Sequence, residues 1–191
     1  MESDLAAFRL KAPAEFIKSL TATINSEITN DFWDITVPNK LLVSSSNHNA
    51  LRNAFFACLI RNGSQVLFSP RKVADLFDPS LKQKRKSLEK HHLFPKNYLQ
   101  TEFKLDKRQI NQLANFTYLE YPDNVDISDD EPKVYFEQIR KLQFANKTGL
   151  LADMMRDHCL PKDFYSMDYD DFLKERRRLM ANLIRTTFES L

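Results

Sequence analysis

The sequence predicts an α+β fold that is mostly α-helical, with a small β-hairpin and its following helix embedded in a helical domain. Three observations carry this. Apolar residues recur at helical spacing over several long stretches. Two short strand-like segments, at His91–Leu93 and Phe116–Leu119, lack that spacing. A hydrophobic content of 42%, with 15 phenylalanines, supplies a core for 191 residues, as one domain or one with an added helical layer.

Taken in order, Pro13 to Trp33 reads as a helix whose face of Phe16, Ile17, Leu20, Ile24 and Ile28 is expected in the core. Pro13 suits its first turn. Thr36 to Val43 contains a proline and reads as irregular and extended. Ser46 or Asn47 can cap a second helix reaching about Arg61, with Asn62-Gly63 as its stop. Leu51, Ala54, Phe55, Cys58 and Leu59 form its buried face, and His48 reads as a surface or capping residue. Ser69-Pro70 opens a short helix to about Phe77, and Ser80 opens another to about Lys90. The latter carries Lys82, Lys84, Arg85, Lys86 and Lys90 against Glu89 alone. A solvated face and a phosphate-binding helix weigh equally as readings of that charge run.

Lys96 to Phe103 reads as a short helix with Tyr98 and Leu99 turned inward. Lys107 to Leu113 leads into the strand Phe116 to Glu120, so the hairpin carries a long insert. A helix follows over Pro132 to Leu142, preceded by Ser128, Asp129, Asp130 and Glu131, which suit a positive helix N-terminus. Glu120 to Glu131 holds six acids and no basic residue, a concentration that favours cations. Asp126 is an extra candidate ligand there, though capping is the stronger reading for any single acid. Thr148 to His158 is helical and ends at Pro161; His158-Cys159 has no ligand-spaced partner and reads as structural. The last helix spans Tyr169 to about Glu189, with Phe172, Leu173, Leu179, Met180, Leu183, Ile184 and Phe188 on its apolar side. Arg176, Arg177 and Arg178 cannot all face one way; one is expected to reach DNA and one to be plain surface.

Several classes are excluded. Only two glycines are present and no Gly-x-x-x-x-Gly-Lys-Ser/Thr run, so the chain is not a P-loop NTPase. Cys58 and Cys159 lack Cys-x-x-Cys spacing, which argues against a zinc ribbon and for reduced core thiols. No apolar run reaches about 18 residues, so no membrane span is expected. The charged start of the chain lacks the apolar stretch of a signal peptide, and a reducing cytoplasm is the expected setting. The net charge of +2 says little about a nucleic-acid partner.

The chemistry concentrates between Glu89 and Asn124. Hydrolysing a phosphodiester takes an attacking water, a base for its proton, and a cation at the phosphate and leaving oxygen. Histidine suits the base because its pKa lies near neutrality. His91 and His92, if extended, point to opposite faces, so one can ligate a metal while its neighbour meets the water. Pro95 keeps Phe94 extended and stops a helix from absorbing the pair. Singly, each histidine or asparagine here is better explained as structural; the ordered conjunction favours function.

This stretch resembles the HNH (His-Asn-His, ββα-metal) nuclease motif, and more closely the C-terminal nuclease segment of GmrSD-like restriction proteins. His92-Leu93-Phe94-Pro95, the Asn111 to Asn115 pair and Asn124 to Ser128 carry the likeness. Ser44 to Gly63, His158 to Pro161 and Met167 to Met180 extend it over most of the chain. The resemblance implies His91 and Asn124 as metal ligands, His92 as general base, and Asn115 as the residue that holds the base loop. It implies magnesium or manganese as cofactor, double-stranded DNA as substrate, and ends with 5′-phosphate and 3′-hydroxyl. Asparagine in place of histidine at the third position implies modest metal affinity. Lys82, Lys84, Arg85, Lys86, Lys96, Arg176, Arg177 and Arg178 are the candidate DNA contacts. The division expected is a helical part over 1–80, the nuclease core over 81–145 and C-terminal helices over 146–191. A role in restricting foreign or modified phage DNA follows, in a prokaryotic cytoplasm. The sensing and nucleotide-using N-terminal domain of the family has no counterpart here and is expected as another domain or subunit. One site nicks one strand; a homodimer would cut both. The alternative is a catalytically inactive DNA-binding or regulatory interaction domain of a larger defence protein.

Overall fold

The computed structural model describes residues 13–43, 50–78, 88–120 and 130–191, with backbone alone at 88 and 89. Helices dominate, and one two-stranded antiparallel sheet lies among them. The first helix, α1 (Pro13–Glu27), has the expected extent at its start, but none of its residues is buried. Ile17, Leu20 and Ile24 are exposed, which corrects the expectation of a core stripe. Helical periodicity creates a face that can be buried; here its ends, Phe16 and Ile28, are partly buried while its middle stays exposed.

The segment expected to be extended is helical instead. A π-helical turn (Phe32–Thr36) runs into α2 (Val37–Lys40). Trp33, Val37 and Leu41 recur every four residues and all three are buried. Pro38 stands directly after the π-helical turn, where the hydrogen-bond pattern of the helix changes. This turn packs on the last helix, with Trp33 and Phe188 rings 5.6 Å apart.

The helix α3 (Ala50–Arg61) buries Phe55, Cys58 and Leu59 as expected, and Arg52 as well. It stops at Gly63, whose φ of 66° is open to a residue without a Cβ. The Ser64 amide donates to the Leu59 carbonyl (3.0 Å) and the Gly63 amide to Ile60 (3.0 Å), a Schellman closure. A tight loop then leads to α4 (Val73–Phe77), shorter than expected from Ser69-Pro70.

The strand β1 (Leu88–His92) pairs with β2 (Phe116–Glu120), Leu88 opposite Glu120 through His92 opposite Phe116. Lys90 is therefore a strand residue rather than the end of a basic helix. Five paired positions outweigh a charge run that has no apolar stripe to bury. Lys82, Lys84, Arg85 and Lys86 lie outside the described residues. Between the strands stand α5 (Lys96–Glu102), α6 (Lys107–Ile110) and a 3-10 turn (Leu113–Asn115). Then come α7 (Pro132–Gln143), α8 (Thr148–Asp157), a second 3-10 turn (Phe164–Ser166) and α9 (Tyr169–Glu189).

One apolar cluster links residues from Trp33 to Ile184, drawing on the segments on both sides of the hairpin and on the hairpin itself. Phenylalanines build much of it: Phe94 meets Phe172 at 4.7 Å, and Phe136 stacks on Tyr165 at 4.5 Å. Cys58 and Cys159 are buried and free, and burial pushes the Cys159 thiol up to about 12, so it is an inert thiol. Among the described residues, no helix is long and apolar enough to cross a membrane.

Candidate active site

The hairpin sorts the two histidines as alternation requires. His91 shares the inward face with Thr117 and Leu119, all buried; His92 lies on the other face with Phe116 and Tyr118, all partly open. His91 meets the Tyr135 ring of α7 edge-on, 6.2 Å between centroids. It thus projects toward the helix that follows the acidic stretch.

The turn after His92 is held chiefly by one residue. Asn115 is fully buried. Its Oδ1 accepts from the Phe94 amide (2.8 Å), and its Nδ2 donates to the carbonyls of Phe94 (3.1 Å) and Ile110 (3.2 Å). Its own carbonyl accepts from the Leu93 amide (2.8 Å). The Tyr135 hydroxyl adds a bond to the Leu93 carbonyl (2.7 Å). Every polar atom of the buried carboxamide is used, which is what makes such a group stabilising rather than costly.

The His92 ring packs on Phe116, with 4.1 Å between centroids. Its Nε2 lies 2.9 Å from Asn111 Oδ1. Burial lowers the His92 pKa below its ordinary value; the Asn111 contact opposes this and the nearby Lys96 charge assists it. The ring is therefore neutral, and able to accept a proton, down to below the usual histidine range.

Of the candidate DNA contacts, Lys96 is exposed at the start of α5, close to His92. Arg178 is exposed but forks onto Glu175 at 2.7 and 2.9 Å. Arg177 is half-buried and donates to Gln112 Oε1 at 3.1 Å. Arg176 is corrected: it is fully buried and cannot meet a phosphate. Its guanidinium donates to the carbonyls of Ala114 (2.7 Å), Phe116 (2.9 Å) and His158 (3.3 Å). Burial brings its pKa down to about 10, so it stays charged at neutral pH while serving the backbone. His158 is buried as well, with Nε2 2.7 Å from the Gln65 carbonyl.

Asn124 and Asp126 lie outside the described residues. Among the described residues, no group of three or more His, Cys, Asp or Glu converges to hold a metal. His91 nonetheless fits as one donor: an imidazole is a common divalent ligand, and this one projects toward the helix that follows the stretch bearing Asn124.

Two residues make contacts here that the sequence reading did not give them. Asn111 was visible as the first residue of the Asn-x-x-x-Asn run, but without a role. Arg176 falls between Leu173 and Met180 at helical spacing, in the middle of the apolar stripe. That position is the signal that it is buried. In comparisons of the chain with protein-family models, curated proteins and solved structures, nothing matches.

Proposed function

We propose that this chain is a metal-dependent HNH-type endonuclease domain that nicks double-stranded DNA. The observation that supports it most is the Asn115 clamp. A buried carboxamide bonds both backbone polar groups of Phe94, two residues past His92, which is the part an HNH resemblance assigns to its middle asparagine.

In this reading His92 takes a proton from a water that attacks phosphorus in line with the leaving 3′ oxygen. The new P–O bond leaves a 5′-phosphate, and the departing oxygen, protonated from solvent, becomes a 3′-hydroxyl. His91 and Asn124 would hold the cation, magnesium or manganese, which when bound offsets charge on the phosphate and the leaving oxygen. Asn115 keeps the base loop in place. Lys96 stands where a phosphate flanking the cut would be attracted. A part in restricting foreign or modified DNA, alongside a separate sensing domain or subunit, belongs to the same proposal.

The test is plasmid nicking across magnesium, manganese, nickel and zinc, with a chelator control. His92→Ala is expected to abolish nicking while circular dichroism and thermal midpoint stay unchanged; undiminished nicking removes the assignment. Salt-sensitive DNA binding without cleavage in any metal would identify an inactive DNA-binding module instead. Neither binding nor cleavage would identify an interaction domain.

A further inference from the structure

We infer that Asn111 is a positioning residue that fixes the His92 ring as the Nε2–H tautomer, leaving Nδ1 as the atom that accepts the proton of water. The inference deepens the nuclease reading and rests on it for its catalytic meaning. Its structural content stands on the resting protein alone.

The chemistry is direct. A neutral imidazole carries one hydrogen, on either of two nitrogens, and only the other nitrogen can act as a base. Free in water the two forms exchange. At His92 the structure sets a carboxamide oxygen, Asn111 Oδ1, 2.9 Å from Nε2. In this orientation of the Asn111 carboxamide the oxygen accepts, so Nε2 carries the hydrogen. The lone pair then resides on Nδ1. Phe116 lies against the ring at 4.1 Å between centroids and limits its rotation.

Asn111 is itself held firmly, as a tautomer-setting group must be. It closes the one-turn helix α6, its amide donating to the Lys107 carbonyl at 3.0 Å. That helix begins with a reciprocal capping box: Asp106 accepts from the Arg108 and Gln109 amides, and Gln109 Oε1 accepts from the Asp106 amide. Ile110 is fully buried. The Tyr169 hydroxyl, from α9, reaches the Gln109 carbonyl at 3.0 Å and the Ile110 carbonyl at 3.3 Å. Asn115 Nδ2 holds the same Ile110 carbonyl. A single turn of helix is too short to persist by its own hydrogen bonds. Here caps, a buried anchor and two distant side chains fix it, and the residue so presented touches the base. Asn115 and Asn111 thus divide the work: one holds the backbone behind His92, the other holds its ring.

The test reads the tautomer directly, by long-range 15N–1H correlation spectra of the protein labelled at histidine, without metal or DNA. The expected result is one Nε2–H form for His92. A dominant Nδ1–H form, or the mixture seen for free imidazole, overturns the inference. In Asn111→Leu the fixed pattern is expected to give way to a mixture, and kcat for nicking to fall about 10–100-fold with KM within twofold. Unchanged spectra or kcat in that variant also overturn it. Asn111→Asp keeps an acceptor oxygen and is expected to retain the Nε2–H form and most of kcat. If Asn111→Leu fails to fold, the wild-type and Asn111→Asp spectra still decide. A protein that shows the Nε2–H form and yet cuts no DNA leaves the tautomer assignment standing and removes the nuclease reading alone.

Discussion

The hairpin region and α1 end in opposite environments. In the hairpin, polar side chains from three separate segments converge on a few backbone atoms: Asn115, Tyr135, Tyr169 and Arg176 each bond carbonyls within 93–116. In α1 the middle of an apolar stripe, Ile17, Leu20 and Ile24, faces solvent. The contrast teaches that a repeat of apolar residues states which face is available. Burial is decided by what else reaches that face, and around the hairpin the deciding contacts are polar and long-range.

Substitutions can break this contrast, beginning with the largest effect. Arg176→Ala removes three donors from buried carbonyls and empties a large side-chain volume, and is expected to destabilise by roughly 3–5 kcal/mol. Urea unfolding checks it; a loss below 1 kcal/mol would mean the carbonyls find other partners. Asn115→Asp keeps the acceptor but loses both donated bonds and buries a charge, so a loss of about 2–4 kcal/mol is expected.

Acid should act on the same region. His158 is wholly buried, and burial lowers its pKa to about 4 from an ordinary 6.5. The unfolded chain therefore takes up a proton below pH 6.5 that the folded chain refuses until about pH 4. Its contribution is intact above pH 6.5, declines between 6.5 and 4, and levels off below, by on the order of 3 kcal/mol in all. Comparing urea midpoints at pH 7 and pH 5 for wild type and His158→Gln isolates this group; equal pH sensitivity in both would remove it.

The smallest effect belongs to α1. Ile17→Ser and Leu20→Ser lie at exposed positions, and each is expected to move stability by no more than about 0.5 kcal/mol. A loss of 2 kcal/mol at either would show that the stripe is covered in solution and would sharpen the comparison into an interface.

Much of the fold was legible because it rests on short-range rules. The helix over Thr148–Asp157, the stop at Gly63 and the final helix follow from spacing and caps. The strand partners of Phe116–Glu120 were legible in part. His91 and His92 fell where alternation put them, while Leu88 to Lys90 were misread because pairing across the sheet has no local signature. The turn around Pro38 was misread because the residue was weighed above the every-fourth-residue burial of Trp33, Val37 and Leu41. At the candidate site, Asn115 was legible through its place in a motif. The contacts of Asn111 and Arg176 are with partners 19 and 62 residues away, which no short window along the chain contains.

The reach of Arg176 also bears on timing. While this polypeptide emerges from the ribosome, β1, β2 and the turn between them are exposed well before α9 has been made. The carbonyls on either side of Asn115 then have no guanidinium, and the loop behind His92 stays unfinished. Completion of the hairpin is thereby deferred until a distant downstream helix docks, so a nascent or truncated product would lack the finished turn.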